Sequence, residues 1–165
     1  MALPQVHTRP DEPGTRDLLR TTVDALGALD GAVSLHEMPR LASVDARPFA
    51  IGDRGYAVIV SARVGARGRP PARAHFLAVW WHALVAGGAE VTGWASRGGG
   101  YCDVRVQALL AGVPVQLWEH LPVEVADRWG VPDVPGPDLH PELPEGKREI
   151  TVDELSMIAA GATPS

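Results

Sequence analysis

The chain has 165 residues, 45% of them hydrophobic, and its 20 acidic and 15 basic side chains give a net charge of −5. These figures are typical of one soluble globular domain, and they exclude a strongly basic polyanion binder and a collagen-like chain. Cys102 is the only cysteine, which excludes an intrachain disulfide framework and a zinc site built from several thiolates.

Residue usage is biased toward amino acids with GC-rich codons. Lys147 is the only lysine beside 14 arginines, asparagine is absent, and there are 18 glycines and 15 prolines. This bias indicates a bacterial, high-GC origin. Residues 1–14 contain three prolines and lack the basic segment and apolar run of a signal peptide, so we expect a flexible N-terminal arm on a cytoplasmic protein.

The first periodic segment covers residues 15–30. Leu19, Val23 and Leu26 recur at i, i+4 and i+7, which predicts an amphipathic helix that Gly31 ends. Extended segments are predicted at 32–36, 41–51 and 56–64. The Gly-Asp-Arg-Gly sequence at 52–55 predicts a hairpin between the last two.

A second helix is predicted at residues 71–85, with Pro71 at its start and Gly87-Gly88 after its end. It is apolar nearly all round but too short to cross a membrane, so we expect a central helix covered on two sides. Strands follow at 89–96, 101–110 and 113–121, then a helical turn at 124–129. The order predicts an α+β domain over residues 15–130, with one or two antiparallel sheets packed on the apolar helix.

The two halves of this domain have similar spacing. A shift of 57 positions places the 56–64 segment on 113–121 and the 52–55 turn on 109–112. This match suggests an αβββ-αβββ internal duplication, although α+β domains often space their elements alike without one.

The C-terminal part differs in composition. Residues 119–165 carry a net charge of −7, and the preceding part +2. We predict a Pro-rich acidic linker at 131–150 and a short docking helix at 151–161, which the capping box Thr151-x-x-Glu154 opens. Its apolar face carries Val152, Leu155 and Ile158. A helix this short needs support from its own domain, a second subunit or another protein.

Four arginines cluster in the segment that joins the two halves: Arg63, Arg67, Arg69 and Arg73. One interpretation is a phosphate or nucleic-acid contact, and the other is a solvated loop.

The hairpin over 101–121 has a register that its hydrophobic pattern defines. If the turn is Ala111-Gly112, position i faces position 223 − i, which puts Cys102 among apolar core side chains and polar residues on the other face. With Trp94 from the preceding strand, that polar face holds the best candidates for an interaction surface: Trp94, Asp103, Arg105, Trp118 and His120. They offer a cation–π contact and a carboxylate–imidazole pair, unless a second layer of the domain covers them.

The order of elements over residues 72–121 resembles that of metal-dependent nucleases of the restriction-endonuclease-like class. The resemblance implies a hydrolase that uses Asp103, Glu119 and His120. That class carries a lysine two positions after the second carboxylate. Here the corresponding pairs are Gln116 with Trp118 or Glu119 with Leu121, so the lysine is missing, and Glu119 faces away from Asp103.

These observations favour a non-enzymatic interaction or accessory module, with another protein or a second copy of the chain as partner. It would act through the tryptophan-bearing sheet face and the C-terminal helix. A nucleic-acid-associated protein and the degenerate hydrolase are the alternatives. We predict no cofactor, no metal and no membrane partner.

Overall fold

The computed structural model describes residues 13–33, 38–50, 56–65, 69–133 and 146–161. The elements in these ranges follow in chain order: α1 (Thr15–Ala32), β1 (Leu41–Ala50), β2 (Tyr56–Val64), α2 (Pro70–Ala86), β3 (Val91–Arg97), β4 (Tyr101–Leu110), β5 (Val113–Pro122), α3 (Val123–Trp129), β6 (Lys147–Glu149) and α4 (Val152–Ala159).

The strands form one six-stranded sheet in the order β1-β2-β5-β4-β3-β6. Every neighbouring pair is antiparallel except β2 and β5, which are parallel. The predicted α+β class is confirmed, with a single sheet that is mostly antiparallel.

The hairpin of β4 and β5 has the register that the sequence predicts, with Cys102 opposite Leu121 and Asp103 opposite His120. Its two-residue turn places Ala111 and Gly112 at positive φ, 49° and 79°, as a type I′ turn requires. The alternation of apolar and polar residues in both strands therefore fixes which side chains face the core.

Helix α2 is the centre of the core. It lies between the sheet on one side and α4 on the other, which confirms the prediction of a helix covered on two sides. Trp81 reaches the sheet at Gly93, where an added Cβ would come within 2.3 Å of the indole ring. Gly93 is therefore needed for this close approach.

Helix α1 buries a different stripe from the one its periodicity predicts. Ala25 and Leu29 are buried, whereas Leu19 is 63% and Val23 67% exposed. The helix also continues through Gly31 to Ala32, so the predicted stop at Gly31 and the strand start at residue 32 are wrong. Tertiary packing against β1 and β2 selects the buried face here. Residues 34–37 and the 52–55 turn lie outside the described residues.

The internal duplication is not confirmed. The hairpins meet in the order β1-β2-β5-β4 with β2 and β5 parallel. A rotation that superposes two such halves would turn the sheet over and place α1 and α2 on opposite faces. Both helices instead contribute to one core cluster, Ala25 and Leu29 from α1 and Leu77 and Trp80 from α2.

The C-terminal segment belongs to the domain. Within the predicted linker, Lys147–Glu149 form β6, which pairs with β3 and corrects the linker assignment at these residues. Their polar sequence has no apolar period that would indicate a strand. Residues 134–145 lie outside the described part of the chain.

Helix α4 begins where the capping box predicts. Thr151 is its N-cap, and the Thr151 hydroxyl and Glu154 carboxylate make the reciprocal contacts of a capping box. The apolar face of α4 packs on α2 of the same chain, where Leu155 and Ile158 are buried and Val152 is partly buried. None of the helices that the structure describes has the length and apolar content to span a bilayer.

Candidate interaction surface

The two faces of the sheet differ in what covers them. All four helices supply side chains to one core cluster, on the sheet face that carries Val104 and Leu117. We call the opposite side of the sheet the polar face. On the polar face Ile59, Ser61, Asp103 and Gln116 are buried, whereas Trp94 and Trp118 are partly exposed.

One row of the polar face crosses the whole sheet. We name it the Trp–Arg row, and the strand registers give its order from β6 to β1: Glu149, Trp94, Arg105, Trp118, Arg63 and Ser43. Aromatic and cationic side chains therefore alternate in the middle of the sheet, and both tryptophans are partly exposed.

Each tryptophan of the row has a cation against its ring. The Arg63 guanidinium carbon lies 5.3 Å from the ring centroid of Trp118, and the Lys147 ammonium lies 5.0 Å from that of Trp94. The expected cation–π chemistry is present, but the cations come from β2 and β6 and not from Arg105. The indole Nε1 of Trp94 is buried without a hydrogen-bond partner in the described structure.

Arg105 is held in place by its neighbours. Its Nε donates to Asp103 Oδ2 at 2.8 Å, and its Nη1 donates to Gln116 Oε1 at 3.3 Å. The Gln116 amide in turn donates to Gln107 Oε1 at 3.4 Å. Because Asp103 and Gln116 are buried, this network fixes the Arg105 guanidinium before any ligand arrives.

His120 lies in an aromatic cluster at one end of the polar face. Its ring stacks on Tyr101 with centroids 3.9 Å apart and tilts against Trp118 at 5.0 Å. His120 lies beside Asp103, as the sequence predicts. The distance of 3.8 Å between His120 Nε2 and Asp103 Oδ1 is too long for a hydrogen bond. Burial lowers the pKa of His120 and the Asp103 carboxylate opposes this, so the imidazole is neutral at pH 7.

Glu119 has a structural role. Its side chain is fully buried, and its Oε1 accepts hydrogen bonds from Arg63 Nη2 at 3.0 Å and from the backbone N–H of His120 at 2.9 Å. The sequence places Glu119 in a candidate catalytic set and Arg63 in a basic loop. The structure joins them in one ion pair.

The structure describes three of the four arginines of the predicted phosphate contact. Arg63 pairs with Glu119, and Arg73 donates to the carbonyl of His120 at 3.0 Å. Arg69 is exposed at the N-cap of α2, and Arg67 lies outside the described residues.

The three residues of the predicted hydrolase do not lie on one side of the sheet. Asp103 and His120 are on the polar face, 3.8 Å apart at their nearest polar atoms, whereas Glu119 is buried on the other side and paired with Arg63. Cys102 is on the helix side, and burial raises its pKa to about 12. The described ranges hold no group of three His, Cys, Asp or Glu side chains placed to bind a metal.

Sequence reasoning missed Arg63 as a member of the polar face. The alternation in residues 56–64 separates Arg63 from buried Ala62 and Val64, which is a usable signal for its side of the sheet. Nothing local predicts its neighbour Trp118, because the parallel pairing of β2 with β5 joins distant parts of the chain. Comparisons with protein-family models, curated proteins and solved structures found no match to this chain.

Proposed function

We propose that this protein is a non-enzymatic interaction or accessory module, and that it binds another protein through the polar face of its sheet. The observation that carries the proposal is the Trp–Arg row. Its two tryptophans flank Arg105 and are partly exposed on the polar face. Tryptophan and arginine dominate the binding energy of protein interfaces, above all when they are held rigidly.

Charge on the polar face favours a protein over a nucleic acid. Arg105 is paired with Asp103, and Arg63 with Glu119. A nucleic-acid surface needs cations free to neutralise phosphates, and these guanidiniums already have carboxylate partners. Helix α4 contributes by supporting α2, because Leu155 and Ile158 are buried within their own chain.

The first step of the test is to find the partner by its position on the surface. A photo-crosslinking amino acid replaces Thr92, which is exposed on the polar face, or His82, which is exposed on α2. In the native host we expect a partner protein to be crosslinked from position 92 and not from position 82. The same partner captured only from position 82 would contradict the proposal.

The second step uses the purified partner. We expect Trp118→Ala to weaken the complex about tenfold or more, the effect of removing a tryptophan anchor of about 1.4 kcal/mol or above. The matched control His82→Ala should bind like the wild type. Affinity should fall less than about tenfold between 50 and 200 mM salt, whereas a phosphate-binding surface would lose about 10³-fold or more. An unchanged Kd for Trp118→Ala contradicts the proposal.

A further inference from the structure

We infer that the outer edge of β1 and the exposed side of α1 together form a self-complementary surface that binds a second copy of this chain. The dimer would join two sheets edge to edge around a two-fold axis. This surface shares only Ser43 of β1 with the Trp–Arg row and includes neither tryptophan, so the inference does not depend on the proposed function.

Strand β1 is a long open edge. It spans ten residues at one end of the sheet, and within the described structure it pairs only with β2. Most of its described side chains are exposed. A long edge strand with unpaired backbone groups is a template for another strand unless something covers it.

The charges of β1 match those of a second β1 in antiparallel orientation. Asp45 and Arg47 are both exposed and lie on the polar face, one on each side of Ala46. A two-fold axis at Ala46 places Asp45 of each copy opposite Arg47 of the other, which makes two cross-strand ion pairs. Arg47 also makes an interaction within its own chain.

The helix side of the same edge offers an apolar surface. Helix α1 packs mainly over β1 and β2 and also reaches β4 and β5, and its C-terminal end meets the end of α2, where Ala32 abuts Gly87. Successive residues of a helix are about 100° apart around its axis. Measured from the middle of the buried pair Ala25 and Leu29, Leu19 lies roughly 100° and Val23 roughly 140° around α1. Both are on the side opposite Ala32. These two exposed side chains therefore point away from α2, toward the side on which β1 ends the sheet.

A two-fold axis at the β1 edge brings the α1 helices of two copies onto neighbouring parts of the joined sheet, because α1 packs over the strands at that edge. The same two-fold rotation pairs the two β1 edges, places Asp45 opposite Arg47 and brings the exposed Leu19 and Val23 of both copies to one side. No other surface among the described residues combines these three features.

The first experiment measures mass in solution and its response to two matched variants. Sedimentation velocity of the full chain should show a species of twice 17.5 kDa. Leu19→Glu should raise the dimer Kd at least tenfold. Leu109→Glu is the control, because Leu109 is 61% exposed, close to the 63% of Leu19, but lies at the β4–β5 turn. A chain that stays monomeric at all concentrations, or equal effects of both variants, overturns the inference.

The second experiment tests the register by charge reversal. Asp45→Arg and Arg47→Asp should each weaken the dimer about tenfold, because each places like charges opposite one another. The double variant should restore wild-type affinity. Single variants that weaken the dimer without rescue in the double variant overturn the pairing around Ala46.

A third measurement does not depend on affinity. In an Ala46→Cys variant the new thiols of two copies face each other, while Cys102 is fully buried and stays unreactive. Mild oxidation should give a disulfide-linked dimer of this variant and none of the wild type. No crosslink in a variant that still sediments as a dimer is evidence against the pairing around Ala46.

Discussion

At the scale of single residues, Glu119 needs a cation, because it is a fully buried acid. Its ion-pair partner is Arg63. Removing Arg63 leaves a buried carboxylate without its cation, so we expect Arg63→Ala to lower the free energy of unfolding by about 3 kcal/mol. Urea unfolding measures this loss.

The control for the ion pair is the double variant with Glu119→Gln. A neutral glutamine still accepts the His120 backbone N–H but needs no cation. The double variant should therefore regain part of the stability lost by Arg63→Ala. Equal stabilities of the single and double variants would show that the loss in Arg63→Ala does not come from the unpaired Glu119 carboxylate.

His120 gives the fold a pH dependence at mildly acidic pH. Burial holds its pKa below the ordinary 6.5, so the unfolded chain binds the proton more readily than the folded chain. The contribution of neutral His120 is present above pH 6.5 and is lost as the pH falls through the lower folded-state pKa. Between about pH 7.5 and about pH 5.5, the free energy of unfolding measured in urea should fall more for the wild type than for His120→Gln. The same loss in both proteins would contradict this assignment.

At the scale of elements, α4 tests whether the C-terminal helix is a structural part of the domain. Leu155 is buried against the core, so Leu155→Ala should cost about 2–5 kcal/mol of stability. Met157 lies on the same helix but is partly exposed, and Met157→Ala should cost less than about 1 kcal/mol. Thermal or urea unfolding compares them, and equal small losses would mean that α4 does not hold the core together.

Elements could be predicted from the sequence where a local pattern decides them. The period-two alternation of β4 and β5 gives their register, and the Thr151–Glu154 capping box gives the start of α4. The pattern of α1 fails because Leu19 and Val23 look like a core stripe, although contacts with β1 and β2 select Ala25 and Leu29.

The candidate site was only partly predictable for the same reason. Trp94, Arg105 and Trp118 share a face because β3, β4 and β5 are consecutive and their pairing follows from alternation. Arg63 and Lys147 join them through β2 and β6. These two strands pair with parts of the chain that are remote in sequence, and no local periodicity encodes such a choice of neighbour.

At the scale of the whole molecule, the domain does not end at residue 130. Strand β6 completes the edge beside β3, and Ile150 donates its backbone N–H to the carbonyl of Gly93 at 3.0 Å. Truncation after Gly130 removes these contacts and uncovers α2. We expect the truncated chain to lose cooperative thermal unfolding and to bind hydrophobic dyes. A cooperative thermal transition of the truncated chain near the wild-type temperature would instead support a domain that ends at residue 130.

The parallel contact of β2 with β5 also bears on how the chain folds. It places Val60 beside Val115, a separation of 55 positions, whereas the β4–β5 hairpin closes through two residues. Closing the hairpin therefore costs little loop entropy, whereas pairing β2 with β5 costs more. The hairpin should form early and the β2–β5 pair late. In stopped-flow refolding, Val106→Ala should slow folding, and Val60→Ala should mainly speed unfolding; the reverse partition would contradict this order. Until that late step, two central strands have open edges, and it is then that the chain is most exposed to misassembly with its neighbours.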